Sequence, residues 1–209
     1  WESFEFTSVT HVLYDGVYDI QDSDGLFADQ YDDDFRYYND FNRIARELYV
    51  SYRRPTLDVV IGKQQIVWGV LDGLKVLDTL NPQHFREFIL ADFADSRIGL
   101  WSTYADLYIG PWRTELAWIP DATGHEIPTE GAWFELSAPR FRYGAQPATP
   151  RLPVRTEEPE HSVEDSASGL RLSRMLGGWD LSLVAVSGSD FEPLVRVKVS
   201  PAGPVLERY

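Results

Sequence analysis

The sequence predicts an all-β protein, an antiparallel transmembrane β-barrel, whole or partial, with short turns, long loops and one short loop helix. Three observations predict it. Apolar residues recur at every second position over segments of about 10 residues, the period of a strand with two unlike faces. The charges in those segments keep to one face. Tight joints alternate with connections much longer than the roughly 12–15 residues that compact domains tolerate without structure of their own.

Composition narrows the function classes. With 33 Asp and Glu against 19 Lys and Arg the net charge is −14, which disfavours a nucleic-acid partner held through a general basic surface. The chain has no cysteine, so disulfides, zinc-thiolate sites, iron–sulfur clusters and thiol nucleophiles are excluded. An aromatic content of 14% is too high for a disordered chain, so most of it is expected to fold. No apolar run reaches the roughly 18 residues of a transmembrane helix, a criterion to which barrel strands are invisible. The chain begins at Trp1 and not at Met, as a processed or excised piece does. Residues 1–209 are therefore expected to form a single β-barrel domain or the N-terminal part of a larger barrel.

The strands follow in order. A less regular one is expected from Phe4 to Leu13. From Arg43 to Arg53, Ile44, Leu48, Val50 and Tyr52 oppose Ala45, Glu47, Tyr49, Ser51 and Arg53. Arg54-Pro55 turns the chain, and Leu57, Val59 and Ile61 open a second strand expected to reach Gly69. From Ile98 to Ile109, Trp101, Ala105, Leu107 and Ile109 oppose Ser102, Tyr104, Asp106 and Tyr108. After Gly110-Pro111, Trp112, Leu116 and Trp118 oppose Arg113, Glu115 and Ala117. Across Gly177-Gly178, Leu170, Leu172, Trp179, Leu181 and Leu183 oppose Arg171, Ser173, Asp180 and Ser182. Last come Val195, Val197 and Val199, alternating with Arg196 and Lys198. The terminal SPAGPVLERY holds Pro201 and Pro204 and is expected to make a poor closing strand, which leaves seven clear strands and one irregular.

Periodicity alone fits a soluble β-sandwich equally well. The loop asymmetry, the one-sided charge and the placement of Trp112, Trp118 and Trp179 at strand ends, where an interfacial girdle belongs, favour the barrel. Its lumen is then lined by Glu47, Tyr49, Ser51, Arg53, Arg113, Glu115, Arg171, Arg196 and Lys198. An Arg or Lys set against lipid at mid-membrane costs about 2–4 kcal/mol.

The long connections differ in character. Nine aspartates between Asp15 and Asp40 face the single base Arg36 at a spacing that fails the EF-hand pattern, so a solvated acidic loop and no metal site are expected. The connection from Pro120 to Ser168 is proline-rich and expected to be irregular. In the middle connection Asn81 is placed as a helix N-cap with Pro82 at the first helical position, and Phe85, Phe88, Ile89 and Phe93 fall at helical spacing. A helix from Asn81 to Phe93 is expected, packed on the strands or folded into the barrel mouth. No cofactor and no catalytic constellation are expected: the four histidines are scattered and no serine sits in a nucleophile elbow.

The stretch GKQQIVWGVLDGLKVLDTLNPQHFR resembles a family of Gram-negative outer-membrane proteins of unknown function, in which a strand reads glycine, basic residue, Gln, then Trp-Gly, with a following Asn-Pro. The matching positions are Gly62, Lys63, Gln64, Trp68, Gly69, Asn81 and Pro82, with Lys63 where Arg is commoner. The resemblance spans about 25 residues. It implies a transmembrane barrel in the outer membrane, embedded in outer-membrane lipid and linked to trafficking of hydrophobic molecules beside an RND-type transporter or periplasmic partner; it carries no catalytic residues. The expected function is passage or export of a hydrophobic or amphipathic molecule. The alternative is a soluble all-β carbohydrate-binding or glycoside-hydrolysing domain, with Glu126 and Glu130 as an acid pair.

Overall fold

A computed structural model of the chain describes residues 3–12, 14, 40–69, 79–86, 95–127, 154–156, 165–189, 191, 195–200 and 203–208. Among them ten strands form two sheets. The larger is antiparallel and has seven strands in the order β1 (Phe4–Thr10), β2 (Ala45–Arg54), β3 (Leu57–Gln64), β4 (Leu100–Ile109), β5 (Trp112–Ile119), β7 (Ala167–Leu176) and β8 (Trp179–Ser187). Its end strands β1 and β8 are not paired with each other, so the sheet is open. The smaller sheet runs β6 (Val154–Thr156), β10 (Gly203–Arg208), β9 (Val195–Ser200).

Local chemistry accounts for the joints. Gly177 and Gly178 both take positive φ, 59° and 86°, as both central residues of a type I′ hairpin must. Gly110 (φ 58°) turns β4 into β5 ahead of Pro111. The first joint falls at Pro55-Thr56, one residue later than expected, because Arg54 still pairs with Leu57. The three tight turns lie at one end of the sheet, and the long connections leave from the other.

Several expected elements are corrected. The strand expected from Arg43 begins at Ala45, since Arg43 and Ile44 close a four-residue helix, α1 (Phe41–Ile44). Asp40 caps it, its Oδ1 accepting from Asn42 N at 2.8 Å. The strand expected to reach Gly69 ends at Gln64. No helix starts at Asn81: residues 79–86 are extended or turning, with isolated bridges at Gln83 and His84. Phe88, Ile89 and Phe93 lie outside the described residues, as do the aspartates between Asp15 and Asp34 and the run Pro128 to Pro153. Arg196 and Lys198 belong to β9, which hydrogen-bonds to β10 and to no strand of the seven-stranded sheet, so they are not in its wall. The expected poor strand at the C-terminus does form: Pro204 is accommodated opposite Val199, and β10 pairs with β9 on one side and β6 on the other.

Strand register sorts the larger sheet into two unlike faces. One row across it reads Phe4, Tyr52, Val59, Ala105, Leu116, Leu170, Ala185, and a neighbour on the same face reads Phe6, Val50, Ile61, Thr103, Trp118, Ser168. On the opposite face one row reads Arg53, Asp58, Asp106, Glu115, Arg171, Val184. Burial runs against the usual order. The apolar face is exposed at Val50, Ile61, Trp101, Leu116, Trp118, Leu170, Leu181 and Leu183, whereas Ser51, Gln64, Ser102, Asp106, Glu115 and Ser173 on the polar face are buried. The polar face is called inner below, and the apolar one outer.

Candidate functional site

The inner face is built by alternation. Glu47, Tyr49, Ser51 and Arg53 share it along β2, Arg113 and Glu115 along β5, and Arg171 along β7, so seven of the nine residues expected to line a lumen lie on one surface. Its electrostatic centre is Glu115, whose side chain is only 3% exposed. Tyr104 Oη donates to Glu115 Oε1 at 2.5 Å, Arg113 reaches the same oxygen at 3.5 Å, and Arg171 lies 3.5 Å from Oε2. Arg113 also grips the buried Asp106 through Nε (3.1 and 3.0 Å to the two oxygens) and a terminal nitrogen (2.8 Å), while Tyr108 Oη donates to Asp106 at 2.9 Å. Two carboxylates, two guanidiniums and two phenols thus neutralise one another across three strands. At the sheet edge Arg53 pairs with Glu5 at 2.9 Å.

Beside this network an apolar segment covers the inner face. After Gln64 the chain leaves the sheet, and Ile66, Trp68 and Leu80 pack on Leu100, Ala117 and Ile119, with Tyr104, Ala167 and Val184 around them. The space for Trp68 is made by Gly169: a Cβ there would sit 2.6 Å from Trp68 Cη2 and 3.0 Å from Cζ3. The cover is locked by Asn81, buried to 1% exposure, which accepts from Ile66 N at 3.2 Å and donates to Ile66 O at 2.7 Å. Gln83 donates through Nε2 to Asn81 O, and its own backbone N–H is taken by His125 Nδ1 at 2.8 Å. Backbone bridges from Gln83 to Arg97 and from His84 to Glu126 tie the cover to its neighbours.

Most of the motif residues lie at the end of β3 and in the cover that follows it. Gly62 (φ 137°) lies against β2, where a Cβ would meet Leu48 O at 2.3 Å and Tyr49 Cα at 2.7 Å. Gln64 donates to Val60 O and Ser102 O, ending β3, and Trp68, Asn81 and Pro82 form the cover. Lys63 departs from the rest: its register partners Leu48 and Trp101 place it on the outer face.

A second layer lies at the same end of the sheet, where α1 and residues 120–126 approach each other. Arg43 contacts Glu126, and His84 Nε2 lies 4.0 Å from the other carboxylate oxygen. Burial pushes the Glu126 carboxyl up to about 8 and the Arg43 guanidinium down to about 10, the latter also through Arg86, and contact between the two opposes both shifts. Glu126 is thus a member of an ion pair, and Glu130, its expected catalytic partner, lies outside the described residues. Arg46 pairs with Asp95 nearby.

Asp58, Tyr104 and Asp106 complete the polar face and were absent from the expected lumen set, although the alternation that placed Glu115 places them too. For the interior cover the signal is partial: Ile66 and Trp68 keep the phase of Gly62 and Gln64, whereas no local pattern marks Leu80 as folding back onto them. No protein-family model, curated protein or solved structure matches the chain.

Proposed function

We propose that the seven-stranded sheet is wall of a transmembrane β-barrel in a Gram-negative outer membrane, and that the barrel serves passage or export of a hydrophobic or amphipathic molecule. One observation carries this reading: exposed Trp, Leu and Val cover one face of the sheet while ionisable side chains are buried on the other. In water that order is costly twice over, through a large apolar surface left wet and charges taken from solvent. Against lipid it is the favourable order, since the apolar face meets hydrocarbon and the charges pair inside. Trp112 and Trp118, exposed at the two ends of β5, then stand at the two membrane interfaces.

The cover formed by Trp68, Leu80 and Asn81 occupies the inner face at the long-loop end, where it narrows the passage. The motif resemblance supports an RND-type transporter or another periplasmic protein as partner. Detergent dependence tests the membrane reading: the full-length protein is expected to aggregate in plain buffer and to become monodisperse, with strand-type circular dichroism, only in micelles or lipid discs. A monodisperse, folded protein in plain buffer overturns it.

A further inference from the structure

A cavity of about 630 Å³ opens at the long-loop end of the sheet, on the side that carries Lys63 and Trp101. Its walls include Arg43, Lys63, Ile98, Trp101, Pro120 and Asp121. The volume is that of a small-molecule site.

Lys63 is the anomaly in this wall. The residue is only 4% exposed, yet among the described residues its Nζ makes one hydrogen bond, to the carbonyl of Asn42, and has no carboxylate within 4.0 Å. Among the described residues two of its three donors are therefore unspent. A buried ammonium without a contacting counter-ion is expensive, and proteins supply one. The carboxylates of the neighbourhood are already engaged. Asp121 accepts from Trp101 N at 3.0 Å through one oxygen and from Thr123 N and Oγ1 at 3.1 and 2.6 Å through the other. Asp40 caps α1, and Glu126 contacts Arg43.

Asp40, Asn42, Thr123 and Glu126 add to the polar part of the wall, and Ile98, Trp101 and Pro120 supply its apolar part. Trp101, the register partner of Lys63, is 43% exposed, and Ile98 and Pro120 continue the surface. We infer that this cavity is a binding site for an amphiphile with an anionic head group, carboxylate or phosphate, the head on Lys63 and the chain along Trp101. The site stands on its own residues and does not require the barrel to be correct, so it is tested in whichever medium keeps the protein monodisperse.

The probe is a terminally brominated undecanoate, whose bromine quenches tryptophan on contact, compared with the brominated undecanol of equal length. The wild-type protein is expected to show saturable quenching by the carboxylate, the saturable part disappearing in Trp101→Phe. Lys63→Met is expected to weaken it about tenfold or more, and Lys63→Arg, which keeps the charge, to hold it within a few-fold. Dodecyl phosphate is expected to compete, and inorganic phosphate or acetate at the same concentration not to. Equal affinity for acid and alcohol, unchanged binding in Lys63→Met, or full displacement by acetate or inorganic phosphate overturns the assignment, the last pointing to a small-anion site. If Lys63→Met fails to fold, the acid–alcohol comparison on the wild-type protein decides alone.

Discussion

Asn81 uses one side chain to do what a neighbouring strand does with its backbone, closing both polar groups of Ile66 at the centre of the cover. Its replacement by Ala strands a buried N–H and a buried carbonyl, each worth about 1–3 kcal/mol. Asn81→Asp is expected to be no better, because a carboxylate accepts from Ile66 N but sets charge against Ile66 O. Denaturant midpoints of the two variants check this, and an Asp variant as stable as the wild type refutes the backbone-mimic role. Glu115 invites a similar argument about charge. Removing it leaves Arg171, 11% exposed, without its carboxylate, and loss of one member of a buried pair costs about 3–5 kcal/mol. If the two are coupled, Arg171→Met lessens the penalty of Glu115→Ala, and a double-mutant cycle on stability returns a non-zero interaction energy. Strict additivity means that Arg171 does not depend on Glu115.

Strands were legible in the sequence wherever both faces follow a single rule, as from Leu100 to Leu107 and from Leu170 to Leu183. They were misread where that rule changes meaning. Ile66 and Trp68 are out of phase with Leu57, Val59 and Ile61 and in phase with Gly62 and Gln64, and they lie on the inner face, where Gln64 spends its side chain on Val60 and Ser102 and the chain leaves the sheet. Asn81-Pro82 has the wording of a helix start, but the Asn side chain finds the Ile66 backbone before it can cap its own. That contact joins residues 15 positions apart and has no local signature. The seating of Trp68 on β7 was equally invisible, since it depends on the absence of a side chain at Gly169. Gly169→Val is accordingly expected to lift Trp68 from its seat without altering strand pairing. The checks are a red-shifted emission that vanishes in a Trp68→Phe background and unchanged strand-type circular dichroism. An unshifted spectrum means that the ring and β7 do not touch.

The molecule as a whole is read from the relation between burial and polarity, and register is the hinge of that reading. A one-residue slip anywhere in β5 or β7 would exchange Leu116 with Glu115 and Leu170 with Arg171, turning every charge toward the apolar side. The cross-strand ion pairs from Arg113 to Asp106 and from Glu115 to Arg171 oppose such a slip, as does Trp68 against Gly169, so network and cover fix the same register independently. It follows that sidedness holds along whole strands. Spin labels at Leu116 and Leu181 in reconstituted vesicles are expected to be accessible to oxygen dissolved in lipid and shielded from a water-soluble nickel reagent. Labels at Ser51 and Ser173, buried on the inner face, are expected to be shielded from lipid oxygen. Ser51 and Ser173 are preferred to the charged residues because replacing a member of the ion-pair network would alter the register being measured. Lipid accessibility at the two serines would mean that the sheet is inside out. Equal aqueous accessibility at all four would place the sheet in water, and the apolar face would then need a protein partner in place of lipid.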